Sequence, residues 1–74
     1  MPGDTVPDDR DRSVLQVLAD GRANPQLVRE RTGLEKGDVN SALVRLGRAG
    51  LARQLTRGLY EITDAGREVL TDGE

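Results

Sequence analysis

Residues 24–62 place helix starts and stops so close together that few folds suit them. Asn24 followed by Pro25 predicts the beginning of a helix, because asparagine caps a first turn well and proline fits the first helical position. Gly33 predicts the end of this helix after about two turns, since glycine readily adopts the conformation that closes a helix. The segment therefore begins with a short helix and a tight turn.

A second helix is predicted from Glu35 or Lys36 to about Ala49, with Gly50 as its stop. Its apolar residues recur at i, i+3, i+4 and i+7, a spacing that places them on one face of a helix. Two helices joined by a turn that contains glycine form a helix-turn-helix motif. The face predicted to be buried consists of Val39, Ala42, Leu43 and Leu46.

Another helix precedes this segment and is expected to end near Asp20. Asp8 or Asp9 is its predicted N-cap. Asp11 adds a negative charge to the first turn, where the helix dipole favours it. We interpret these early aspartates as capping and surface residues. The apolar stripe of the helix consists of Val14, Leu15 and Leu18, with Val17 beside it.

The end of the chain predicts a hairpin and a last helix. Leu51–Leu55 and Leu59–Ile62 flank a glycine-containing turn at residues 56–58, which is typical of a hairpin. A hairpin alone is marginal in water, so it must lie against the helices, beside the end of the third one. Thr63 or Asp64 caps the last helix. The apolar positions of this helix are Ala65, Val69 and Leu70.

The predicted fold class is mainly α with a small β-hairpin, built as a three-helix core plus a C-terminal helix. The 74 residues are expected to form one domain, residues 1–74, with residues 1–7 and 72–74 disordered. A chain of this length buries only about 60–65% of its unfolded surface, which leaves no room for a large substrate cavity. The sequence has no cysteine and no histidine, the usual thiolate and imidazole ligands. We therefore predict no enzyme, no metal site and no cofactor.

Composition also suggests where the protein works. No apolar run approaches the ~18 residues that a membrane span needs, and the acidic N-terminus is unlike a signal peptide, so a cytoplasmic protein is expected. Ten arginines stand against one lysine, and there are eight aspartates. This acidic, lysine-poor balance indicates a halophilic host. The alternative is a host whose genome is merely rich in GC.

Positive charge is concentrated in one part of a chain whose net charge is -2. Residues 39–60 hold four arginines and no acidic residue. Residues 1–20 hold five aspartates and two arginines, and residues 61–74 hold five acidic residues and one arginine. Such a charge distribution directs one face of the protein toward a polyanion. The alternative is that these arginines pair with acidic neighbours on the surface.

The second helix of a helix-turn-helix can enter the major groove of DNA. Its polar side carries arginine and asparagine, which recognise guanine and adenine through paired hydrogen bonds. Arginines on the hairpin suit backbone phosphates or the minor groove. The candidate contact residues on the helix are Lys36, Asn40, Ser41 and Arg45, with Val44 and Arg48 nearby, and those on the hairpin are Arg53 and Arg57.

Residues 9–71 resemble a winged helix-turn-helix DNA-binding domain, in particular the small haloarchaeal group of the phage phiH1 repressor type. The resemblance is sharpest at three places: Thr32-Gly33-Leu34; Leu43 and Leu46 followed by Gly50-Leu51; and Gly58-Leu59-Tyr60 followed by Ile62-Thr63 and Gly66. It implies a transcriptional regulator that binds double-stranded DNA. The third helix of such a domain reads DNA and the wing supports it, roles that would pass to Lys36, Asn40, Ser41, Arg45 and Arg57.

A second reading of the same residues stays open. Gly37 and Asp38 lie where such helices often carry polar or basic side chains, and the net charge is negative. These features favour a winged-helix protein–protein interaction module without DNA binding. Tyr60, the single aromatic residue, is expected to anchor the core rather than stack on bases. In either reading, the last helix, through Val69 and Leu70, is the surface expected to form a homodimer.

Overall fold

The computed structural model describes residues 9–72, apart from the side chain of Asp72. The N-cap candidate Asp8 and the segments 1–7 and 73–74, predicted to be disordered, lie outside the described residues. Asp72, also predicted to be disordered, is the last residue of a helix. In chain order, the elements are α1 (Asp9–Asp20), α2 (Pro25–Thr32), α3 (Lys36–Arg48), β1 (Ala52–Thr56), β2 (Leu59–Ile62) and α4 (Asp64–Asp72).

Three helices enclose the core, because α1, α2 and α3 each pack against the other two. The start of α2 is capped as predicted, with the N–H of Leu27 donating to Oδ1 of Asn24 at 2.8 Å. Complete burial of a leucine or valine stabilises a fold by about 1.5–3 kcal/mol. The apolar stripes predicted for α1 and α3 are confirmed, since Val14, Leu15, Val17, Leu18, Val39, Ala42, Leu43 and Leu46 are all buried.

The hairpin pairs β1 and β2 in antiparallel register, with Arg53 opposite Glu61. Its turn contains Gly58 at a φ of 78°, a conformation that glycine adopts without steric cost. The register shifts between Gln54 and Thr56, so Leu55 has no partner across the ladder and is 38% exposed. Such a bulge bends a strand and redirects a side chain.

The segment between α1 and α2 also joins the hairpin, which the sequence did not predict. The N–H of Ala23 donates to the carbonyl of Tyr60 at 3.1 Å, and the N–H of Tyr60 donates to the carbonyl of Ala23 at 2.9 Å. Tyr60 is half-buried and packs against the core, as predicted. The hairpin is therefore held on the helices by backbone hydrogen bonds as well as by apolar contacts with α1 and α3.

Helix α4 begins at a hydrogen-bonded junction. Oγ1 of Thr63 accepts from the N–H of Gly66 at 3.1 Å, which caps the helix as predicted. Val69 and Leu70 pack against the core. Ala65, predicted as an apolar contact, is exposed, and the buried position of this turn belongs to Gly66. A side chain does not fit there, because α4 approaches the backbone of Leu51 closely.

Within residues 9–72, no helix is long and apolar enough to cross a bilayer.

Candidate nucleic-acid interface

The turn between α2 and α3 is closed by local hydrogen bonds. Oγ1 of Thr32 donates to the carbonyl of Val28 at 2.7 Å and accepts from the N–H of Leu34 at 3.2 Å. Gly33 follows α2 at a φ of 75°, the left-handed conformation that ends a helix. These bonds hold the start of α3, at Lys36, at a fixed angle to α2.

One side of α3 faces solvent, opposite its buried apolar side. Gly37, Ser41, Val44 and Arg48 are spaced i, i+4, i+7 and i+11, which aligns them along the helix, and Asn40 borders them. We call these five residues the outer face of α3. All five are exposed, and Val44, at 53% exposure, is its one large apolar side chain. Within residues 9–72, Arg48 makes no ion pair with an acidic side chain.

Arg45 lies on the flank of α3 that faces α1, away from the outer face. Its Nη2 is 2.6 Å from Oδ1 of Asp11, and its Nε is 3.1 Å from Oδ2. The interpretation of Asp11 as a surface residue is wrong, because its side chain is only 8% exposed, whereas that of Arg45 is 49% exposed. Arg45, predicted to contact bases, therefore has its guanidinium committed to Asp11, and a base contact would require this ion pair to open.

Asp38 lies on the same flank of α3. It is half-buried, and its Oδ1 is 3.7 Å from Nη1 of Arg10. Its carboxylate thus faces α1 rather than the outer face, where it would oppose a polyanion. Its neighbour Gly37 leaves open space, since a side chain built there would meet no atom within 4 Å.

The two hairpin arginines differ in their surroundings. Nε of Arg53 donates to Oε2 of Glu61 at 2.6 Å, and Oε1 of Glu61 also lies 3.7 Å from Nε of Arg22. Arg57, in the turn, is exposed and has no acidic partner among residues 9–72. Pairing with acidic neighbours, the alternative left open by the sequence, therefore describes Arg45 and Arg53 but not Arg48 and Arg57.

Asp11 contacts the candidate interface through Arg45, which the sequence did not predict. Asp11 precedes Val14, Leu15 and Leu18 by three, four and seven residues, the spacing of one helix face. This periodicity places Asp11 on the buried side of α1, where a carboxylate needs a cationic partner. The signal was present in the sequence, although it does not name the arginine that supplies the charge.

The arrangement of helices and hairpin matches solved structures. The chain superposes with a TM-score of 0.77 on Sco5413, a MarR family transcriptional regulator from Streptomyces coelicolor, at 29% identity over 84% of this chain and 48% of that one. It superposes with the same TM-score of 0.77 on a double mutant of ZitR from Lactococcus lactis, at 18% identity over 90% of this chain and 50% of that one. The fold is a winged helix-turn-helix. The predicted fold class is thereby confirmed.

The winged helix-turn-helix formed here spans about half the length of the two solved structures that it matches. The hairpin of β1 and β2 is its wing, with Arg57 at the tip. The sequence matches no protein-family model and no curated protein. Sco5413 is a transcriptional regulator. Transcriptional regulators are not enzymes, in agreement with the prediction for this chain.

Proposed function

We propose that this winged helix-turn-helix binds double-stranded DNA as a transcriptional regulator. The outer face of α3 would enter the major groove, with the wing beside it. The supporting observation is a set of three exposed cations, Lys36 at the start of α3, Arg48 at its end and Arg57 at the wing tip. None of the three pairs with an acidic side chain within the described part of the chain.

The dimensions of α3 suit this role. Its 13 residues span about 20 Å, and a helix with its side chains is about 10–12 Å across. The major groove of B-DNA is about 12 Å wide and admits one helix. The outer face of α3 carries the short side chains of Gly37, Asn40 and Ser41 along its first two turns, so the helix backbone can approach the base edges closely.

Each exposed polar residue has a distinct task in this proposal. Asn40 suits paired hydrogen bonds to N6 and N7 of adenine, and Ser41 is able to donate or accept at either kind of base pair. Lys36 and Arg48 contact phosphates on the two sides of the groove. Arg57 contacts the backbone or the minor groove beside the wing.

The two paired arginines contribute differently. Arg45 holds α3 against α1 through Asp11, and it sets the orientation of the outer face. Arg53 shares Glu61 with Arg22, so its positive charge is partly neutralised before any DNA arrives. We therefore expect Arg45 and Arg53 to contribute less to DNA binding than the other five residues, Lys36, Asn40, Ser41, Arg48 and Arg57.

The finer features of the proposal rest on the sequence. The resemblance to the phage phiH1 repressor type and the aspartate-rich composition support a regulator from a halophilic archaeon. Dimerisation would double the number of contacts, which a single small module needs for useful affinity. Val69 and Leu70 on α4, which are only partly buried against the core, are the residues proposed for that interface.

The rival function is a winged-helix module that binds another protein and not DNA. The observation in its favour is that Asp11 and Glu61 already neutralise two of the four arginines in residues 39–60. The net charge of -2 also favours a protein-binding module. A protein partner would have to cover the remaining cations, Arg48 and Arg57, with acidic groups of its own.

Salt-dependent DNA binding separates the two functions. Fluorescence anisotropy of a labelled mixed-sequence duplex of about two helical turns is followed at several salt concentrations. We expect affinity to fall with salt, and Arg48→Gln or Arg57→Gln to lower the slope of log affinity against log salt by about 0.9 each. Arg67→Gln is the matched control, because Arg67 is exposed on α4, outside α3 and the wing turn, although it lines a surface cleft with Arg53 and Glu61. No binding at the lowest salt that keeps the protein folded, or equal losses in all three variants, contradicts DNA binding by this face.

A further inference from the structure

An apolar side chain stands in the middle of the outer face of α3. Val44, 53% exposed, has Asn40 and Ser41 one turn before it and Arg48 one turn after it. Valine does not strengthen an exposed helix, because its branched side chain loses rotamer freedom there. No other residue of the outer face is a large apolar one. Val44 thus offers methyl groups at the centre of an otherwise polar surface.

The other residues of the outer face leave Val44 accessible to the floor of a groove. Gly37 has no side chain, Ser41 has a short one, and a Cβ added at Gly37 would meet no atom within 4 Å. A valine side chain is itself short, so it touches the floor of a groove only where its neighbours do not hold the helix away. Arg48, the long side chain of this face, lies one turn beyond Val44 at the far end of α3, where it could reach a phosphate without covering Val44.

We propose that Val44 contacts the C5-methyl group of thymine and makes the preferred DNA site depend on thymine opposite the middle of α3. This inference rests on the proposed DNA binding. In the major groove, thymine presents a C5-methyl group beside its O4 acceptor, whereas guanine, cytosine and adenine present hydrogen-bonding groups and no methyl group. Val44 has no hydrogen-bonding atom, so it leaves the amino group of cytosine unsatisfied and excludes water from it. Thymine is attracted and cytosine is disfavoured by the same side chain.

The test removes the methyl group from the DNA and the valine from the protein. The duplex that wild-type protein retains most strongly from a randomised pool is synthesised once with thymine and once with deoxyuridine, which lacks only the C5-methyl group. We expect wild-type protein to bind the thymine duplex about four-fold more tightly for each methyl group contacted. Val44→Ser should bind both duplexes alike. Since Val44 is exposed, this variant is expected to melt like wild type, which circular dichroism checks.

A matched variant separates methyl recognition from general affinity. Arg48→Gln removes a phosphate contact, so it should weaken binding to both duplexes equally and keep the preference for thymine. A wild-type preference near one, or the same preference in Val44→Ser as in wild type, overturns the role of Val44 while DNA binding itself stands. Failure of wild-type protein to bind any duplex overturns the proposed function instead, and the wild-type measurement alone reveals it.

Discussion

Arg45 and Asp11, 34 residues apart in sequence, form a two-point ion pair that joins the last turn of α3 to the first turn of α1. Arg10, also in the first turn of α1, reaches Asp38 near the start of α3. The beginning of α1 therefore crosses α3 near its middle and is held there from two sides. This crossing sets the direction in which the outer face of α3 points.

We expect substitution of Arg45 and substitution of Asp11 to lower the free energy of unfolding by different amounts. Arg45→Gln leaves a nearly buried carboxylate without its cation and should lower the free energy of unfolding by about 2–3 kcal/mol. Asp11→Asn leaves a guanidinium that is half exposed and free to turn to water, and should cost about 1 kcal/mol. Urea denaturation of both variants measures the difference. Equal losses would mean that burial of Asp11 does not control the energy of the pair.

Gly66→Ala should destabilise the fold strongly. A Cβ at Gly66 would overlap the carbonyl oxygen of Leu51 and lie 2.6 Å from Cγ1 of Ile62, and the first of these is backbone that cannot move aside cheaply. We expect a loss of about 3 kcal/mol, as for an overpacked core. Thermal unfolding measures it.

Gly47→Ala is the control for this substitution. Its Cβ would meet only the carbonyl oxygen of Ala52, at an ordinary 4.0 Å, within a helix that alanine favours. We expect this variant to be more stable than wild type by up to about 1 kcal/mol. A harmless Gly66→Ala beside a stabilising Gly47→Ala would show that α4 does not approach the hairpin as closely as described.

The order and limits of the elements could be predicted because their signals are local. Asn24 with Pro25, Gly33 and Gly50 mark helix ends through backbone preferences of a few neighbouring residues, and the apolar spacing of α3 identifies its buried side. The same spacing separates Val44, on the outer face, from Arg45, one residue and about 100° further around the helix. The sequence predicts Arg45 as a contact because arginine suits DNA. This angle, however, places it off the outer face and beside Asp11.

The remaining features depend on residues that are distant in sequence. Asp11 is nearly buried beside Arg45, and only the packing of α1 on α3 brings the two side chains together. The bridge between Ala23 and Tyr60 likewise depends on how the hairpin docks, and neither residue carries a local signal for it. Arg53 and Glu61 face each other because of the hairpin register. That register depends on the bulge between Gln54 and Thr56, which the turn at residues 56–58 does not predict.

Thr63→Val should weaken the junction between the end of α3 and the start of α4. Oγ1 of Thr63 donates to the carbonyl of Gly50 at 2.6 Å and accepts from the N–H of Gly66, so one hydroxyl links the end of α3 to the start of α4. Valine has the same shape without the hydroxyl, and we expect a loss of about 1–2 kcal/mol, or roughly 4–16 °C in melting temperature. Thr63→Ser keeps both bonds and should lose less than half as much. Equal losses in the two variants would assign the effect to the missing methyl group or to the backbone.

Salt dependence of stability tests the proposed halophilic host. Asp11 does not take part in charge repulsion, because it is paired and nearly buried. Asp64 and Glu68, however, are exposed like charges at i and i+4 on α4, a spacing that destabilises a helix by a few tenths of a kcal/mol. Screening of such repulsion should raise the melting temperature between low and molar KCl, where the Debye length falls to about 3 Å.

A variant identifies the source of that rise. Glu68→Gln removes one of the two like charges on α4, so it should be more stable than wild type at low salt and gain less from added KCl. Exposed ion pairs such as Arg31–Asp20, with its 3.5 Å contact, oppose the rise when they are screened, but each contributes at most about 1 kcal/mol. Scanning calorimetry across the salt series gives both quantities. A wild-type melting temperature that stays flat or falls would mean that the acidic composition is not an adaptation to salt, and would leave a GC-rich genome as the explanation for the arginines.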